Sequence, residues 1–229
     1  MMEIIPVLDL MSGMAVSGKS GHRETYQPLK TVYSSYPDPV QIASSLKRQG
    51  AHQIYIADLD AIEKKGSNLE LIRKINHILP VMMDWGVKDL KSFEFALEFA
   101  NKIIVATETL KSLGELSKIF EKFPKDRIVV SVDIKNDQLL AKEMDISLND
   151  FKEFLIDLNP SQLILLDISQ VGTFNGFNKQ LIDEFSEFKD SLIFGGGITP
   201  SEIKSLNEKG LKKVLVGSAL HKGDIPLKL

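Results

Sequence analysis

Asp9 and Asp133 are the residues whose type and placement point most directly to chemistry. Each ends a run of branched apolar residues, Ile4-Ile5-Pro6-Val7-Leu8-Asp9 and Ile128-Val129-Val130-Ser131-Val132-Asp133. A lone Asp after a strand most simply caps the next turn. Two at equivalent strand ends suit paired acid–base catalysis, with one carboxyl protonated to donate and the other ionised to accept. The sequence leaves open which is which.

A second chemical signal lies in Leu192-Ile193-Phe194-Gly195-Gly196-Gly197-Ile198, an apolar strand running into three glycines and then Thr199, Pro200 and Glu202. Without a Cβ, Gly195, Gly196 and Gly197 let the backbone approach a bulky anion. Pro200 suits a first helical turn, and Glu202 follows Thr199 at capping-box spacing. N–H groups at such a helix start cradle phosphate. Val214-Leu215-Val216-Gly217-Ser218 repeats the glycine-ended strand. Gly217 and Ser218 would complete the phosphate site made by the last two strand–helix loops of a (β/α)8 barrel.

Further candidates ring these two. Asp58 and Asp60 end one strand and Asp167 another, and any of them could orient a sugar hydroxyl; one of the first two could be only a turn residue. No further ligands cluster with them, so no metal is expected. Thr107 stands where Ser218 does in the other half and is read as a substrate contact. Trp85, the single tryptophan, either stacks on a ligand ring or packs under a loop. Arg23, one of four arginines, is either a phosphate fork or a solvated charge. Gly172 and Thr173 open a Gly-Thr-Phe-Asn-Gly segment that either closes on the ligand or is an ordinary turn. The loop Met11–Tyr36 is long enough to act as a lid. The four histidines lack metal-ligand spacing and are not assigned catalysis.

These residues require a scaffold of repeating strands and helices. Eight apolar runs fit buried parallel strands: Ile4–Leu8, Gln53–Ala57, Val81–Met83, Ile103–Val105, Ile128–Val132, Leu163–Leu166, Leu192–Phe194 and Val214–Val216. Seven amphipathic stretches alternate with them: Pro39–Gln49, Leu69–Ile78, Leu90–Phe99, Leu110–Phe120, Leu148–Leu158, Lys179–Phe185 and Pro200–Asn207. With 229 residues, the count favours one α/β domain over residues 1–229, a (β/α)8 TIM barrel, over an open doubly wound sheet. After the last strand little chain remains for a closing helix. Val81–Val87 aligns with Leu192–Ile198, and Ile103–Thr107 with Val214–Ser218, at one constant offset. Asp9 pairs with Asp133 and Asp58 with Asp167, so two half-barrel repeats are expected.

Composition narrows the function classes. A net charge of −3 gives no bulk case for nucleic acid or a membrane surface. The absence of cysteine removes thiolate chemistry and disulfides. The opening residues lack a signal-peptide pattern and no apolar run is long enough to span a bilayer, so a cytoplasmic location is expected.

The chain resembles the histidine-biosynthesis barrels, a family holding an isomerase of a phosphoribosylated imidazole carboxamide and the imidazole glycerol phosphate cyclase. The resemblance rests on Asp9, Asp58 in Asp-Leu-Asp, Asn68–Ile72, Ser131–Asp133, Gly172-Thr173, Phe194–Ile198 and Val216–Ser218. It implies an Amadori rearrangement, in which an aminoaldose ring opens and a proton moves to give an aminoketose. Asp9 and Asp133 would be the acid–base pair, and Gly196, Gly197, Gly217 and Ser218 would hold a terminal phosphate. Asp84-Trp85-Gly86 replaces the family's second glycine cradle. Asp167 replaces a threonine, Val171 an aspartate, and Ser17 the cyclase lysine. These departures imply a divergent member nearer the isomerase, acting without cofactor on a smaller substrate with one phosphate. The alternatives are a lyase or condensing enzyme using Lys135 as a Schiff base, and a non-catalytic binder of phosphorylated metabolites. The sequence names no protein partner.

Overall fold

The computed structural model describes residues 2–18, 22–171 and 179–228. Eight strands form the frame: β1 (Glu3–Met11), β2 (Ile54–Asp58), β3 (Val81–Asp84), β4 (Lys102–Ala106), β5 (Ile128–Lys135), β6 (Leu163–Asp167), β7 (Leu192–Gly195) and β8 (Lys213–Val216). Each pairs in parallel with its sequence neighbour. The ring closes where β8 pairs with β1, from Glu3↔Lys213 to Pro6↔Val216. Parallel neighbours require a crossover after each strand, and helices supply it. The result is a (β/α)8 barrel, as expected.

Strand alternation sorts side chains into two shells. Ile5, Tyr55, Met82, Ile104, Val129, Ile164, Ile193 and Leu215, one from each strand, fill the barrel interior. The intervening residues, such as Ile4, Leu8, Ile54, Met83, Val130 and Leu165, pack outward against the helices. Besides the single turn Leu59–Ile62, these are α1 (Pro39–Arg48), α2 (Leu69–Ile78), α3 (Leu90–Ala96), α4 (Leu113–Lys122), α5 (Leu148–Leu158), α6 (Lys179–Glu184), α7 (Glu202–Glu208) and α8 (Ser218–Lys222). Leu69, Ile72 and Ile75 lie on one face of α2 and are buried. Local chemistry sets the helix starts. Asp38 caps α1 ahead of Pro39, and the Ser112 hydroxyl accepts from the Glu115 N–H at the start of α4.

Several elements differ from expectation. The segment after β1 is not one plain loop. Ser12 and Gly13, both with positive φ, turn the chain so that Met14–Ser17 pairs antiparallel with β1, and Gln27–Pro28 pairs with that strand in turn. A matching turn at Asn136 and Asp137 folds Gln138–Leu139 back on β5. α3 ends at Ala96 instead of Phe99, and α4 begins at Leu113 because Ser112 caps it. α7 begins at Glu202 with no side-chain cap from Ser201; of the expected capping box only the Glu202 carboxylate forms, accepting from the Thr199 N–H at 3.0 Å. The short α8 supplies a closing helix and ends at left-handed Gly223.

The β1 and β2 ends are tied together by one buried amide. Asn68 donates from its backbone and from its side chain to Asp58, each at 2.7 Å, and also to Asp60 at 2.8 Å. Its carbonyl oxygen accepts from Gly13 N–H at 2.9 Å, while Asp60 accepts from Ser12 N–H at 2.6 Å. Asn68→Ala would remove the side-chain bonds to Asp58, Asp60 and the Gly13 N–H, leaving Asp58 held only by the N–H groups of residues 61 and 68. Urea denaturation is expected to show a loss of roughly 1–3 kcal/mol; an unchanged midpoint would refute the tie.

Candidate active site

Period-two alternation decides which strand-end groups enter the barrel mouth. Asp9 is in phase with Ile5 and Val7, Asp133 with Val129 and Ser131, Asp84 with Met82, and Glu108 with Ile104 and Ala106. All four line one cleft with Tyr26 and Tyr55. β1 and β5 lie four strands apart around the ring, so Asp9 and Asp133 face each other across the mouth.

Asp133 is only 3% exposed. Ser131 Oγ donates to its carboxylate at 2.7 Å, Glu108 N–H also donates to it, and its own N–H is held by Thr107 Oγ1 at 3.1 Å. Burial, reinforced by the charges of Asp84 and Glu108, pushes its pKa up to about 8 against the opposing Ser131 bond. At neutral pH this group is a buried acid with a proton to give. Tyr55 OH donates to Asp84 Oδ2 at 3.4 Å, and burial with the Asp84 charge keeps the phenol protonated. Glu108 is paired with Lys142 at 2.8 Å. Among the described residues, no group of three or more Asp, Glu or His side chains is arranged to hold a metal ion.

Asp9 also lines a second cleft, with Val16, Ser17, Gly196, Gly197, Gly217, Ser218 and His221. The Asp9–Asp133 cleft and the glycine turn are therefore continuous across Asp9. Gly196 and Gly197 have φ of 113° and 66°. A Cβ on Gly196 would lie 2.5 Å from the Asp167 carbonyl oxygen, so only glycine fits there. Among the described residues no hydrogen bond takes up the N–H groups of Gly196, Gly197 or Ser218. Such a turn is suited to an anion.

Other expected contacts fall elsewhere. Asp58 and Asp167 are out of phase with the interior, and their carboxylates are spent on local caps: Asp58 on Ala61 and Asn68, Asp167 on Ser169 N–H at 3.1 Å. Neither lines the two clefts. Gly195 ends β7 between Leu166 and Leu215, where a Cβ would meet their carbons at 3.0 and 3.2 Å; it spaces strands and does not line the cradle. Trp85 packs outside the barrel against Phe95, with ring centroids 5.4 Å apart, so the packing reading replaces the stacking one. Thr107 is wholly buried and acts through Asp133. Lys135 is exposed and lines neither cleft, so nothing here favours a Schiff base. Gly172 and Thr173 lie outside the described residues, as does the side chain of Arg23.

Sequence reasoning missed Tyr55, Glu108 and His221, and treated Asp84 only as a replaced glycine. Counting by twos from the interior residues would have found the first two and Asp84. His221 is buried; its Nε2 donates to the Val7 carbonyl at 2.8 Å and its Nδ1 accepts from the Thr31 hydroxyl at 3.0 Å. Burial lowers its pKa, so it serves as a neutral strut between α8 and the loop before α1. Nothing in its spacing along the chain announces this.

The model of a family described as histidine biosynthesis protein matches residues 3–226. This chain belongs to that family. Within it, the chain is 40% identical to an uncharacterised protein of Methanocaldococcus jannaschii, over 99% of this chain and 96% of the relative. It is also 30% identical to proteins of Cenarchaeum symbiosum and Nitrosopumilus maritimus, over 99% of this chain and 98% and 97% of theirs. Both are named as imidazole-4-carboxamide isomerases whose substrate name carries two phosphoribosyl groups.

The elevated Asp133 pKa has a thermodynamic consequence. An unfolded Asp titrates near 3.8 and the folded one at about 8. Between these values the native state holds a proton that the unfolded state lacks, so raising the pH destabilises the fold by about 1.4 kcal/mol per unit. Asp133→Asn mimics the protonated form. Urea denaturation across this window is expected to show the variant gaining stability over the native chain as pH rises, with no gain below pH 4; parallel profiles would disprove the burial of the proton.

Proposed function

We propose that this protein is a cofactor-independent isomerase of a phosphorylated sugar or aminosugar, with Asp133 as the acid and Asp9 as the base. The observation that carries the reading is the buried, protonated Asp133 facing Asp9 in a cleft continuous with the Gly196–Gly197 turn. Its kinship with the named isomerases supports the same reaction class.

For an aminoaldose, the proton transfers balance within the two carboxyls. Asp133 gives its proton to the ring oxygen as the C1–O bond breaks, and the amine lone pair forms the C1=N iminium. Asp9 takes the proton from C2, giving a C1=C2 enaminol. The C2 hydroxyl then returns a proton to the Asp133 carboxylate while Asp9 protonates C1, leaving the C2 ketone and both carboxyls as they began. Tyr55 and Asp84 line the path and can hold sugar hydroxyls. A phosphate seated at Gly196, Gly197, Gly217 and Ser218 fixes the sugar relative to both carboxyls, which lowers the entropic part of the barrier.

The test is turnover of a singly phosphorylated aminoaldose by the native chain and by Asp9→Asn and Asp133→Asn. Each substitution is expected to lower kcat by at least about 100-fold while inorganic phosphate binding persists. Retained turnover in either variant would remove that residue from the mechanism. In the native enzyme kcat is expected to fall as pH rises through about 8, where Asp133 loses its proton; a rate still climbing past that point would reassign the acid.

A further inference from the structure

The barrel mouth has two comparable ends, and they are built differently. β3 and β7 lie opposite each other in the ring, as do β4 and β8. β3 ends at Asp84 and β7 at Gly195, and each is followed two residues later by a left-handed glycine: Gly86 with φ of 72° and Gly197 with φ of 66°. The turn has thus been kept at both ends. At the β7 end the Gly197 N–H is not taken up by any described residue. At the β3 end the Gly86 N–H donates to the chain's own Asp84 Oδ1 at 3.1 Å. The second component differs in the same way. Ser218, after β8, lines the cradle, whereas its counterpart Thr107, after β4, is buried with its hydroxyl oxygen accepting from Asp133 N–H.

We infer that the substrate carries a single phosphate, bound at Gly196, Gly197 and Ser218, and that its other end presents hydroxyl or amine donors to Asp84 instead of a second phosphate. Asp84 occupies, with its own carboxylate, the donor that a second phosphate would need. Any anion arriving there would meet Asp84 with Glu108 beside it, and Lys142 is already paired with Glu108 at 2.8 Å. A carboxylate facing a cleft accepts hydrogen bonds and repels phosphate. Tyr55 points its hydroxyl at the same carboxylate, so that end of the cleft is matched to donors. Asp84 is in this sense a specificity-determining residue. The inference deepens the proposed function and rests on its placing of phosphate at the glycine turn.

The experiment is titration of the full chain with inorganic phosphate, followed by competition for that site with ribulose 5-phosphate and ribulose 1,5-bisphosphate. One phosphate per chain is expected, abolished by Ser218→Asp, with the monophosphate displacing it about tenfold or more better than the bisphosphate, the size of one lost charge-assisted contact. Asp84→Gly is expected to open a second phosphate site and to erase that preference. Asp84→Asn, which keeps the turn and removes the charge, should erase most of the preference even if the glycine variant does not fold. Two sites in the native chain, equal competition by the two sugars, or a preference unchanged in Asp84→Asn would overturn the inference and leave the phosphate cradle standing. No phosphate binding at all would instead remove the cradle, and with it the proposed function.

Discussion

The register between β4 and β5 is the constraint on which the site depends. Ala106 pairs with Ser131, and the Thr107 N–H reaches the Ser131 carbonyl oxygen at 3.0 Å. That pairing puts Thr107 Oγ1 under the Asp133 N–H and turns both Ser131 and Asp133 into the barrel. A slip of one residue would send the whole inward set outward. Val129 on one side and Leu165 and Leu166 of β6 on the other leave no room for such a slip without exposing apolar surface. The energy that fixes the Asp133 proton therefore comes from hydrophobic burial around the entire ring, far from the carboxyl itself.

The burial that shapes Asp133 also divides the mouth electrically. On the β7–β8 side, Gly196, Gly197 and Ser218 line the cleft, and no described residue takes up their N–H groups. On the β3–β4 side, Asp84 and Glu108 make the wall acidic and add to the burial that holds Asp133 protonated. The two properties are linked. A carboxylate at Asp84 adds to the burial that raises the proton affinity of Asp133 and makes the same wall negative.

The loops over the mouth are held by buried polar struts more than by apolar packing. Asn68 joins the turn after β1 to the carboxylates at the end of β2. His221 joins α8, whose first residue is Ser218, to Val7 and Thr31, and the Val32 N–H returns to the His221 carbonyl at 2.9 Å. Each strut satisfies several buried groups at once, which is the condition for a polar side chain to stabilise a crowded site.

Much of this was present in local residue order. Eight apolar runs spaced by amphipathic stretches specify parallel strands with crossover helices, and Gly196-Gly197 mark a tight turn because glycine best tolerates their left-handed dihedrals and a Cβ on Gly196 would meet the Asp167 carbonyl. Asp9 and Asp133 were visible at the close of their apolar runs, although the strands continue two residues past each. The two hairpin turns at Ser12-Gly13 and Asn136-Asp137 carry local signals that the length of the first loop obscured. What local order could not decide was which end-of-strand groups face in. Asp58, Asp167 and Trp85 look like site residues in one dimension, yet each sits one step out of phase and is spent on a cap or on packing. The raised pKa of Asp133 and the strut role of His221 arise only when distant segments close around them. Desolvation and mutual repulsion depend on three-dimensional distance, and that distance exists only once the ring has closed.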